Sequence, residues 1–143
     1  MKIAFANLTP PTSGAAVVFA LDAAKLTASA AALDKATKGT LTRAIKASRF
    51  KGKAGQTLHA LAPQNSKLGR IMVIGLGKPK DIDAKTWQRA GGYAYAGLAK
   101  TGMTAVSVMV DGIDDASVSA GDAAANLAFG AALRSYRFDK YKT

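Results

Sequence analysis

Short apolar runs of strand length alternate along this chain with longer stretches of helical spacing. Residues 2–7 and 15–22 are rich in Val, Ile and Phe, and the segment between them, Thr9-Pro10-Pro11-Thr12-Ser13-Gly14, is dense in turn formers, so two strands joined by a loop are predicted. Over residues 29–48 the apolar positions Leu33, Leu41 and Ile45, with Thr37 and Ala44 between them, recur at helical spacing and predict one helix whose opposite face is basic. Residues 56–62 and 70–76 read as strands. The second (Ile71, Met72, Val73, Ile74) is apolar without alternation, as expected of a strand covered on both faces, and is expected at the centre of the sheet. Asp83 is placed to cap a helix carrying Trp87, Gly91, Ala94 and Leu98 on one stripe, with Gly102 placed to end it. A strand at 104–110 follows, then a polar turn at 114–119. The last helix, at about 121–136, presents Leu127 and Ala131 beside Phe129, Leu133 and Tyr136, and leads into a polar, basic tail at 137–143.

This order of elements predicts an α/β fold, a three-layer sandwich with a central mixed β-sheet flanked by helices. At 143 residues, with 49% apolar positions, the chain is sized for one compact domain with a full core. No cysteine is present, which excludes disulfides, thiol nucleophiles and thiolate metal sites and fits a reducing cytoplasm. The start of the chain lacks the features of a secretory signal, and no apolar run is long enough to span a bilayer, so a soluble protein without a membrane partner is expected.

Charge changes the picture more. Twenty Lys and Arg stand against nine acids, all of them Asp, giving a formal charge of +11. Such an excess favours association with polyanions such as nucleic acid, or with an acidic partner domain or subunit. Seven cations (Lys35, Lys38, Arg43, Lys46, Arg49, Lys51, Lys53) and no acid fall between residues 35 and 53, making this the candidate DNA- or anion-binding segment. Phe50 is its only aromatic available for base stacking, and a solvated helix face is the alternative.

Other candidates are weaker in chemistry. Gly75, Gly77 and Lys78 follow a buried strand and precede a helix, the position of phosphate-binding loops, but their spacing matches neither nucleotide-loop pattern; a tight turn needing glycine is the alternative. His59 is the only histidine and cannot form a multi-histidine metal site. Asp81 and Asp83 precede a helix, and Asp111, Asp114 and Asp115 crowd a loop without calcium-loop spacing, so both groups suit turns and helix N-termini. Gly91-Gly92 inside a helix predicts close packing against the sheet or another helix, and Trp87 and Tyr95 read as core or interface. No residue is assigned a catalytic or metal-ligating role.

Three segments, Phe50-Lys51-Gly52-Lys53-Ala54-Gly55-Gln56-Thr57, Ile74-Gly75-Leu76-Gly77-Lys78 and Leu133-Arg134-Ser135-Tyr136-Arg137-Phe138-Asp139-Lys140-Tyr141-Lys142, resemble in order and interval the signatures of the N-terminal domain of leucyl (cytosol) aminopeptidases. The similarity runs from about residue 15 to residue 143. It implies a macro-domain-like fold and a single non-catalytic domain over 1–143, with 137–143 beginning the connection to a catalytic domain. It further implies a cytoplasmic, hexameric parent enzyme that releases N-terminal residues, often Leu, from peptides with two divalent metal ions, manganese or zinc. The metal ligands and catalytic residues of that family lie in the C-terminal domain, so the resemblance implies no cofactor within this segment and an inactive domain supporting assembly. Some bacterial members also bind DNA, which keeps residues 35–53 in view. A macro-like fold invites ADP-ribose binding, although the glycine-rich phosphate loop of macro domains is not seen.

Overall fold

The computed structural model describes residues 2–5, 11–114 and 116–140. Its strands are β1 (Lys2–Phe5), β2 (Ala15–Leu21), β3 (Lys25–Leu26), β4 (Thr57–Leu61), β5 (Arg70–Gly77) and β6 (Ala105–Val108), and its α-helices are α1 (Ala28–Ala36), α2 (Thr40–Lys46), α3 (Ala84–Leu98) and α4 (Ala120–Lys140). The sheet order is β1-β6-β2-β5-β4, with β3 pairing β2. β1, β6, β2 and β5 run parallel, while β4 is an antiparallel edge. The predicted mixed sheet flanked by helices is the observed architecture.

Alternation along the interior strands divides the core in two. Val17 and Phe19 of β2, Met72 and Ile74 of β5 and Val106 and Val108 of β6 face α3 and α4, where they meet Ile82, Trp87, Leu98 and Leu127. The intervening Ala16, Val18, Ile71 and Val73 face α1 and α2, where they meet Leu33, Leu41 and Phe50. A strand whose side chains are buried on both faces needs no polar positions, which is why β2 is apolar throughout and β5 is apolar after Arg70. Trp87 is fully buried and meets Phe19 edge-on at 5.0 Å and 75°, a geometry that adds about 0.5–1.5 kcal/mol beyond burial alone.

Three sequence expectations are corrected. The strand at 70–76 is interior, but β2 takes the middle of the sheet. Both strands carry a buried apolar run, and the connections, which the pattern does not encode, choose between them. The single helix expected over 29–48 is two helices. Lys38 and Gly39 are both left-handed (φ 56° and 81°), Gly39 N–H closes α1 on the Asp34 carbonyl, and the Asp34 carboxylate accepts from the Leu41 and Thr42 amides to start α2. The helix expected to end near 136 continues to Lys140, because nothing in Arg137-Phe138-Asp139-Lys140 breaks it; residues 141–143 of the predicted tail lie outside the described residues, as do residues 6–10 at the end of the first strand and in its loop.

Candidate functional site

The seven cations of the basic segment are all exposed. They do not share one helix face. Lys35 sits on α1, Lys38 in the left-handed link, Arg43 and Lys46 on α2, and Arg49, Lys51 and Lys53 on the loop toward β4. Arg43 is already engaged in structure, its guanidinium donating to the Lys38 carbonyl and, at 3.0 Å, to Gln64 Oε1. The segment is an exposed stretch of positive charge spread over two helices, their link and a loop.

Gly75, Gly77 and Lys78 lie where β5 ends, but the segment 51–56 is packed directly onto them. The Gly75 amide donates to the Gln56 carbonyl at 2.8 Å and the Gly77 amide to the Gly52 carbonyl at 2.9 Å. A Cβ on Gly75 would stand 2.3 Å from the Lys53 carbonyl oxygen, and one on Gly52 would stand 2.0 Å from that of Leu21. These glycines are needed so that backbone can touch backbone. Two amides that a phosphate loop would present to its ligand are already spent on protein. Gln56 fastens the arrangement by accepting from the Lys51 and Lys53 amides through Oε1.

His59 lies on the edge strand β4, half-buried, with its Nδ1 at 3.1 Å from Nη1 of Arg70 on β5. Because a guanidinium only donates, Nδ1 is the acceptor and the neutral ring carries its proton on Nε2. Burial first, and the Arg70 charge second, hold the imidazole below its ordinary value of 6.5. Arg70 Nε is buried and, among the described residues, has no hydrogen-bond partner. This pair joins two adjacent antiparallel strands.

Asp34, Asp83 and Asp111 cap helix starts. Asp83 accepts from the Thr86 amide at 2.9 Å, and Thr86 Oγ1 accepts in return from the Asp83 amide; the bond from the Thr86 amide is the first cause of the lowered Asp83 pKa. Asp111, after β6, accepts from the Ser29 amide at 2.8 Å and the Ser29 hydroxyl at 2.7 Å, capping α1 across 82 residues of sequence. Asp81 and Asp114 are exposed, and Asp115 lies outside the described residues. Among the described residues no three His, Cys, Asp or Glu side chains converge as a metal site.

One surface escaped the sequence reading. α3 and α4 cross backbone to backbone, since a Cβ on Gly91 would lie 2.0 Å from the Leu127 carbonyl oxygen and one on Gly130 would lie 1.8 Å from that of Gln88. The outer side of that crossing is a groove lined by Arg89, Tyr93, Phe129, Leu133, Arg134 and Arg137. Phe129, Leu133 and Tyr136 are 57%, 41% and 68% exposed, whereas Leu127 and Ala131 are buried. The signal was available: 123, 127 and 131 make one stripe of α4, and 129, 133 and 136 make a second stripe on a different side of the helix.

No helix among the described residues is long and apolar enough to cross a membrane. Comparison with known proteins gives consistent matches. The sequence profile of the cytosol aminopeptidase family, N-terminal domain, matches residues 17–143. A probable cytosol aminopeptidase of Agrobacterium fabrum is 41% identical over 142 residues, which is 99% of this chain and 27% of that protein. One from Chelativorans sp. is 38% identical over 141 residues, again 99% of this chain and 27% of the relative. A mutant tomato leucine aminopeptidase has the same fold, with a TM-score of 0.71 at 23% identity, over 94% of this chain and 28% of its own.

Proposed function

This chain belongs to the cytosol aminopeptidase family and corresponds to its N-terminal domain, and on that premise we propose that it is an accessory and assembly domain of a two-metal leucyl aminopeptidase, inactive by itself. The observation that carries this reading is the family match over residues 17–143 in a chain that spans only 27% of the length of its relatives. The side chains support it: the described carboxylates that are engaged cap helices, and the lone histidine is paired to an arginine. On this reading the parent protein is cytoplasmic and hexameric. It removes N-terminal residues, often Leu, from peptides, and its two metal ions, manganese or zinc, are held by a C-terminal catalytic domain. Purified chain supplied with manganese is expected to release no product from a leucine anilide above a mock preparation; clear turnover that disappears with a chelator would refute the assignment.

A second reading, a nucleic-acid-binding surface at Lys35, Lys38, Arg43, Lys46, Arg49, Lys51 and Lys53, is favoured by the exposure of all seven cations on one continuous stretch of chain. Nucleotide binding at Gly75, Gly77 and Lys78 is not favoured, because the amides of both glycines are engaged within the protein.

A further inference from the structure

The outer stripe of α4 is an apolar surface that the fold leaves unused. Single exposed apolar residues are ordinary on protein surfaces, but a contiguous set with a charged rim marks an interaction site. Here Phe129, Leu133 and Tyr136 follow one another at intervals of four and three residues, and Tyr93 of α3, 36% exposed, faces Phe129 and Leu133 across the groove. Arg89, Arg134 and Arg137 supply the rim, and all three are exposed. Aromatic side chains ringed by arginine are the composition that anchors protein interfaces, and Phe or Tyr each bury roughly 150–250 Å² when docked.

Charge selects the occupant. A second copy of the chain packing through the same face would set these arginines against their own counterparts, since a two-fold interface pairs each patch with itself. α3 and α4 carry only two carboxylates, Asp122 and Asp139, to offer in return against the three arginines of each copy. The partner therefore brings both apolar side chains and carboxylates of its own. The chain spans 27% of its relatives, and in a family where this region is the N-terminal domain the remainder follows α4, the last described element. A surface on that final helix is within reach of a tethered neighbour, which docks at high effective concentration.

We propose that the groove between α3 and α4, with the stripe Phe129, Leu133 and Tyr136, docks the catalytic region of an aminopeptidase chain through a face bearing apolar and carboxylate side chains. The proposal rests on the reading of this chain as the accessory domain of an aminopeptidase, and the test separates the two. Residues 1–143 replace the matching region of the Agrobacterium fabrum relative, and the photo-crosslinking residue p-benzoylphenylalanine is placed at 129, at 136, or at 46 in the opposite helical layer. Crosslinks from 129 and 136 to peptides of the relative's own remaining sequence, absent from 46, are the expected result. Leucine release by the hybrid reports on the underlying reading: an active hybrid without those crosslinks overturns the docking surface alone, an inactive hybrid that still shows them counts against the underlying reading alone, and an inactive one without them counts against both. The unmodified chain supplies an independent check by light scattering. It is expected to be a monomer, and Phe129→Ser with Tyr136→Ser is expected to leave its melting temperature unchanged. A dimer abolished by those substitutions, or crosslinks from 129 into residues 1–143 of another copy, would overturn the proposal in favour of self-association.

Discussion

His59 is a single residue whose behaviour follows from two neighbours, burial in the sheet edge and the Arg70 guanidinium, both of which disfavour the imidazolium. Its folded pKa is depressed below 6.5. The unfolded chain therefore binds the proton first as pH falls, so the stabilising contribution is complete above 6.5 and is lost as pH drops through the folded value. As the only histidine it gives one imidazole resonance. Its NMR titration midpoint is expected below 6.5, and Arg70→Leu should move it back toward 6.5; a midpoint at or above 6.5 in the native protein would contradict the geometry. Asp83 carries linkage of the same sign from a different cause, a carboxylate lowered by hydrogen bonds that it accepts, whose contribution is lost only as pH falls below its ordinary 3.8. Proximity to a helix start was readable for Asp83 because cap and helix are adjacent in sequence. That Asp111 caps α1 was not, because its partner Ser29 is 82 residues away.

At the scale of elements, the α3–α4 crossing separates two glycines that look alike in sequence. Gly91 touches the α4 backbone, whereas a Cβ on Gly92 would meet only the Arg134 Cβ, at 4.0 Å. Gly92→Ala should stabilise the protein by up to about 1 kcal/mol, the helix-propensity difference. Gly130→Ala gains the same propensity but drives a methyl into the Gln88 carbonyl, and overpacking costs roughly 1–3 kcal/mol or more, so net destabilisation is expected. Urea unfolding midpoints that moved in the same direction for both variants would show that the helices do not cross as described. The same backbone closeness explains why the segments at 50–57 and 74–78 are recognisable together: one is folded onto the other, Gly75 and Gly77 admitting the backbone of residues 52–54 while Gly52 admits that of Leu21.

For the molecule as a whole, a formal charge of +11 makes ionic strength the controlling variable. If residues 35–53 bind nucleic acid, anisotropy of a labelled duplex will show affinity falling steeply from low to physiological salt. Replacing Lys38, Arg43 and Lys46 with Ala will then reduce the log–log salt slope by roughly 0.9 for each phosphate contact removed. Arg43 also ties Lys38 to Gln64, so the variant's thermal unfolding is the companion measurement. No binding at low salt would eliminate this surface as a nucleic-acid site and leave its charge to solvation or to an acidic partner.

The sequence by itself determined the α/β class, the positions of most strands and helices, the double-sided burial of β5 and the family, because periodicity, capping residues and local motifs act between neighbours along the chain. It could not decide the middle of the sheet or the split of residues 29–48 into two helices, where a long-range connection or a left-handed link outweighs apolar spacing. Nor could it decide whether Gly75 and Gly77 face a ligand or the segment at 51–56, or which of two apolar stripes on α4 meets the core. Those four outcomes depend on which surfaces are brought into contact, and contact between residues distant in sequence is fixed only when the layers pack.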